Sequence, residues 1–223
     1  MKYCFFLAAL AVLQAQGQVA RLADGHPDLS GNGVWLPRHV ADLASNLSSG
    51  SEISLQASAK LKFQKNRAMP RNDLDRRCLP PGVPRIMLMA RPFEIVQTPT
   101  RILFMYEGGA HVWRQVWMDG RAQPEDPNPD WLGHSIGHWA GDTLVVDSVG
   151  FNDRTWLDDA GHPHTEQLRV IEKFTRTDPQ TMKYDVTIDD PGAYNHSWTS
   201  RSIFSFHPGQ RLEEDICLDK ISN

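Results

Sequence analysis

From Arg85 onward, apolar and polar residues alternate with a period close to two. "RIMLMA", "FEIVQ", "RILFMYE", "HVWRQVWM", "GHSIGHW", "DTLVVDSVG", "QLRVIEKFTR", "TMKYDVTID", "SWTSRSIFSF" and "RLEEDICL" are short runs rich in β-branched and aromatic residues. That is the pattern of half-buried strands. Turn residues separate most of them: "TPT" at Thr98, "EGG" at Glu107, "AGD" at Ala140, "TDPQ" at Thr177 and "HPGQ" at His207. Short connections predict antiparallel neighbours, and a long open sheet would leave two unpaired edges. The pattern therefore predicts a mainly all-β fold of about ten strands, an antiparallel up-and-down β-barrel or a strongly curved β-sandwich.

One segment has a helical period instead. In "SEISLQASAKLKFQKNRA", Ser51 is placed to cap a helix, and Ile53, Ala57 and Leu61 fall on one face. This predicts a single helix over about 53–67. "GHPDLSGNGVW" offers one short strand near Val34 in an otherwise irregular arm. "CLPPGVPR" reads as a rigid connector, because its prolines forbid helix and ladder alike. Residues 18–84 are thus an arm and a helix packing on the barrel of residues 85–223, and the two form one structural domain.

The first residues stand apart. Lys2 is the only charge in "MKYCFFLAALAVLQAQGQVA", an apolar run follows from Phe5 to Leu13, and Ala15 and Gly17 are small. This is the layout of a secretory signal peptide over residues 1–17, with Gln18 opening the mature chain. The apolar run is shorter than the ~20 residues that a membrane-spanning helix needs. The expected location is the periplasm or the exterior, with no membrane span after cleavage. Cys78 and Cys217 remain in the mature chain. In an oxidising compartment they form a disulfide joining the early connector to the last strand; the alternative is two buried thiols. The net charge of −4 and the scattered basic residues argue against a nucleic-acid partner.

The chemistry concentrates in Gly133–Glu166. His134 and His138 would share a helix face and suit zinc, but the glycines around them predict a strand. On a strand their Cα atoms stand ~13 Å apart at ~3.3 Å per residue, too far to share an ion. No metal and no cofactor is expected. In "GHPHTE", His162, His164 and Glu166 alternate, with Asp158 and Asp159 just before them. His164 with Glu166 or Asp158 is a candidate acid–base pair, and as a loop residue His164 carries little of the core's stability; alternatively, this long loop is merely solvated. In "HVWRQVWM", His111, Trp113, Gln115 and Trp117 share one strand face, while Val112, Arg114, Val116 and Met118 share the other. Two tryptophans, an imidazole and an amide make a poor dry core and a reasonable pocket wall. Trp131, Trp139, Trp156 and Trp198 fall near loop ends and could rim the same opening. Arg114 or Arg169 is placed to hold an anionic group.

The block "DPNPDWLGHSIGHWAGDTLVVDSVGFNDRTWLDDAGHPHTEQLRVIEKFTR", with "GHPDLSG", "CLPPGVPR", "FEIVQTP" and "TIDDPGAY", resembles a large family of exported bacterial proteins that carry a GHSIGxWxGDTLVVDxxGFND signature. The resemblance implies export and a β-rich single domain, and it transfers no catalytic residue. The family has "WEGD" where this chain has "WAGD" at Trp139–Asp142.

Together these features predict an exported barrel that takes a small organic molecule into a cavity lined by His111, Trp113, Trp117, His134, His138 and Trp156. One rival is a cofactor-free lyase, isomerase or hydrolase, acting on a sugar-like substrate through His164 and Glu166 or Asp158. A second is a non-catalytic envelope or matrix protein that assembles through its outer face.

Overall fold

The computed structural model describes residues 17–109 and 111–217. The signal-peptide assignment, Gly17 apart, lies outside the described residues. The described residues form a closed barrel of nine strands in sequential order. These are β1 (Gly33–Pro37), β2 (Phe93–Gln97), β3 (Arg101–Tyr106), β4 (Trp113–Trp117), β5 (His134–Ala140), β6 (Thr143–Val149), β7 (Arg169–Asp178), β8 (Thr181–Asp189) and β9 (Trp198–Pro208). The arm strand anticipated near Val34 is β1. It pairs with both β2 and β9 and closes the ring.

Every ladder is antiparallel except one. β4 and β5 run parallel and are joined only through Val116–Ser135 and Trp117–Ile136. The strictly up-and-down arrangement expected from the sequence cannot close with nine strands. Alternating directions around an odd ring always leave two like-directed neighbours. The parallel step falls where residues 118–133 supply a connection long enough to return the chain to the end of the barrel it came from.

Two expected strands are absent. "RIMLMA" instead holds a single 3-10 turn at Arg85–Met87. Arg85, Ile86, Met87 and Leu88 are all buried, so there is no exposed face for alternation to serve. Arg85 donates two hydrogen bonds to Asp73, at 2.8 and 2.6 Å, and this fixes the turn in place. Of "RLEEDICL", residues 211–217 run as a strap and not a strand, held by side chains and by the Cys78–Cys217 disulfide. The disulfide therefore joins the connector to this strap and not to a strand.

The barrel interior is filled. Phe93 meets Phe204 edge-on at 5.5 Å, Tyr184 stacks on Phe204 at 4.9 Å, and Phe104 lies 5.3 Å from Phe174. A barrel of about this strand number is just wide enough for side chains to fill, and large inward rings fill this one.

The helix, α1 (Ala57–Ala68), starts four residues later than the sequence pattern suggests. Its packing face is also different. Leu61 is exposed, whereas Phe63 stacks on His162 at 4.4 Å and the Asn66 amide donates to the Gly161 carbonyl. A helix that packs on a polar loop and not on the barrel wall does not need the apolar stripe read from Ile53, Ala57 and Leu61. Lys65 and Arg67 in its last turn complement the helix dipole.

Candidate functional site

The two faces of β4 are the ones that the alternation separates, and the structure decides which of them is inside. Arg114 and Val116 point into the barrel, while Trp113, Gln115 and Trp117 face outward. The cavity is therefore not the barrel lumen. It is a cleft of about 830 Å³ on the outer wall at the parallel seam, lined among others by His111, Trp113, Trp117, Arg121, Trp131 and His134. The short ladder explains its position. Beside the first residues of β4, the neighbouring chain at 131–133 is still turning and closes no ladder. Gly133 makes that turn possible. Its φ is +66°, and a Cβ there would meet the Phe151 ring at 2.7 Å.

Cleft residues are held by local pairs. Arg121 folds back onto the Asp119 carboxylate through Nε and Nη2, and its guanidinium lies 3.6 Å over the Trp117 ring. Arg154 covers Trp131 at 4.5 Å. Trp113 is 62 % exposed, and no ring or guanidinium among the described residues stacks on it. His111 adopts a left-handed backbone (φ 52°), and its Nε2 accepts the Asp215 backbone N–H at 2.7 Å. His134 Nε2 meets the Asn128 carbonyl at 3.1 Å.

Behind the seam lies a buried polar network. Arg114 donates to Ser135 of β5 (3.0 Å), to Ser148 of β6 (2.8 Å) and to Glu172 of β7, which also accepts from Tyr184 (2.9 Å). Burial alone would favour a neutral guanidinium. The Glu172 carboxylate outweighs that and holds the Arg114 pKa above its ordinary value. Burial, reinforced by Glu172, pushes the Tyr184 phenol well up. Arg114 Nη1 is buried without a hydrogen-bond partner among the described residues. The network ties β4 to the three strands beyond the seam from the inside.

The loop Phe151–Glu166 is not a solvated segment: Thr155–Asp158 and Gly161–His164 are buried. An imidazole–carboxylate pair is present, but it joins His162 Nδ1 to Asp158 at 2.6 Å. The same carboxylate accepts the backbone N–H groups of Leu43, Gly161 and His162. Asp42, Asp158 and His162 bring potential ligand atoms within 4.8 Å of one another. Asp158, however, is already spent on four N–H donors, so this donor set suits a loop staple better than an ion. His164 is 1 % exposed. Its Nδ1 meets the Thr165 carbonyl at 3.1 Å, so that nitrogen carries the proton, and Thr155 Oγ1 donates to Nε2 at 2.8 Å. Burial depresses the His164 pKa against the pull of the Thr165 carbonyl and Asp190. Gly82 of the connector seals the pair, since a Cβ there would lie 2.5 Å from Thr155 Oγ1. Glu166 is exposed and, among the described residues, bonds to neither imidazole. The expectation that His164 contributes little to stability therefore reverses: its ring is part of the packed interior.

The remaining expected residues scatter. His138 sits exposed further along β5, and Trp139 stacks on His26 at 4.8 Å. Trp156 is buried beside Asp159 and Asp73, in a separate depression. Trp198 is buried near His162. Arg169 pairs with Asp147 on the barrel exterior at 2.6 Å. Asp142, in the turn between β5 and β6, pairs with Arg21 at 2.7 Å. Of the expected pocket residues, His111, Trp113, Trp117 and His134 converge on the cleft, joined by Trp131 from the rim. Arg121 was not anticipated. Its signal was the "DGR" turn, whose glycine lets the guanidinium fold back over Trp117. Comparison of the chain with protein-family models, with curated proteins and with solved structures returns no match.

Proposed function

We propose that the protein is an exported, single-domain β-barrel that binds a small ring-bearing organic molecule in the outer cleft at the β4–β5 seam. The observation that carries this reading is the convergence of His111, Trp113, Trp117 and His134 on one open cleft of about 830 Å³, a volume typical of small-molecule sites. These residues come from both strands of the seam and the turn before it. The exposed Trp113 indole is a free stacking platform. Export is supported by the N-terminal pattern and by the disulfide between Cys78 and Cys217. No helix among the described residues is long and apolar enough to cross a membrane.

Native mass spectrometry of protein purified from its own envelope detects a retained ligand as added mass, and the same spectrum tests for a chain beginning at Gln18. Trp113→Ala should abolish retention without unfolding the protein, because so exposed a ring contributes little to the core. Retention unchanged in that variant would place the ligand elsewhere.

A second reading, assembly through the outer wall, has its own observation. The barrel interior is filled, while Val96, Met105 and Trp113 leave apolar surface on the β2–β4 face. Sedimentation separates the two: a monomer at tens of micromolar removes the assembly reading.

A further inference from the structure

The cleft has a marked imbalance of hydrogen-bonding character. Arg121 spends Nε and Nη2 on Asp119, while Nη1 has no protein partner among the described residues. His111 Nε2 is an acceptor, because the Asp215 N–H points at it; in the neutral ring the proton then sits on Nδ1, which becomes a donor. The indole N–H groups of Trp113, Trp117 and Trp131 can only donate, and among the described residues none of them has a protein acceptor. Against these donors the cleft offers few acceptors. Asp130 faces His134 at 3.7 Å, and its side chain is largely in solvent. Gln123, whose amide nitrogen is spent on the Asp147 carbonyl, and Gln115 supply the amide oxygens. Its charges are balanced in pairs, Arg121 with Asp119 and Arg114, behind the floor, with Glu172, so the surplus is of hydrogen-bond donors and not of net charge.

We infer that the ligand of this cleft is a ring that carries a carboxylate, an aromatic acid or an acidic sugar, with the carboxylate at Arg121 Nη1 and the ring against the tryptophan wall beside it. The inference deepens the reading of the cleft as a small-molecule site and rests on it. A planar guanidinium already braced by Asp119 loses little freedom on binding and presents a fixed donor edge. An uncharged ring of the same shape would keep the stacking and leave those donors without an anion.

The test uses the full mature protein and two matched pairs of probes, benzoate against benzyl alcohol and galacturonate against galactose. Binding is followed by ligand-observed NMR and by tryptophan fluorescence. In at least one pair the acid should bind about tenfold more tightly than its neutral partner, and raising the salt to about 0.5 M should erode that preference. The pair that responds identifies the source as aromatic or sugar. Arg121→Gln should bring the acid-to-neutral ratio towards one. Equal affinities within each pair, or a ratio unchanged in Arg121→Gln, would overturn the carboxylate assignment and leave the cleft reading standing. If neither pair binds at millimolar concentration, the cleft reading and the carboxylate assignment both fall.

Discussion

Removing the charge of Glu172 probes how the barrel closes. Glu172 and Arg114 are both essentially without solvent contact, and the guanidinium reaches from β4 to Ser135, Ser148 and Glu172 on the next three strands. The β4–β5 ladder itself has only two residue pairs. Glu172→Gln keeps the shape and leaves a carbonyl to accept from Tyr184, but it strands the Arg114 charge among neutral groups. Removing one member of a buried ion pair costs ~3–5 kcal/mol. For a domain of this size each kcal/mol lowers Tm by ~2–4 °C, so a fall of roughly 10 °C is expected. Urea unfolding followed by tryptophan fluorescence and circular dichroism gives the free energy, provided that the m-value is unchanged. Hydrogen exchange at the Ser135 and Ile136 amides should accelerate in parallel, because the ladder there has little else to hold it. An Arg114→Met, Glu172→Met double variant should recover much of the loss, since apolar replacement of a buried pair is often neutral. A single variant within ~1 kcal/mol of the parent would mean that water reaches the pair, and would refute the account of the seam as closed from within.

Asp158→Asn should cost about 3 kcal/mol in the same assay, because an amide cannot accept all four of the N–H donors that the carboxylate now satisfies. The exposed Glu166→Gln should stay within ~0.5 kcal/mol, and equal losses would contradict the placement of the two carboxylates. His164 gives the stability a pH dependence of defined sign. Its folded pKa lies below the ordinary 6.5, so the full contribution is present above ~6.5 and is lost as pH falls from there to the folded value, where the unfolded chain takes up a proton that the folded one refuses. His164→Asn should flatten that part of the stability profile, and an identical profile would show that the ring is not shielded. Reducing Cys78–Cys217, which are 139 residues apart, should lower stability by up to ~4–5 kcal/mol in the chain-entropy model. A Tm unmoved by reductant would show that the other contacts of the strap suffice.

The period-two alternation by itself determined the β-rich barrel, because a strand with one buried face must alternate. It separated the two faces of β4 correctly, and the presence of two cysteines in a chain expected to be exported anticipated the disulfide. Alternation carries no sign, however. Arg114 looks like the polar face and Trp113 like the apolar one, and only Glu172, placed opposite by three intervening ladders, lets the arginine go inside and leaves the tryptophans out. In the loop Phe151–Glu166 the residue types announced a histidine beside a carboxylate. Which histidine it is depends on backbone geometry: Asp158 also accepts from the Leu43 N–H, 115 residues away, and that fixes it against His162. The helix shows the same limit, since its partner is that polar loop and no apolar stripe could announce it. The parallel seam, and with it the cleft, is decided by closure alone. No local pattern encodes the number of strands in the ring, and an odd number forces one pair of neighbours to run the same way.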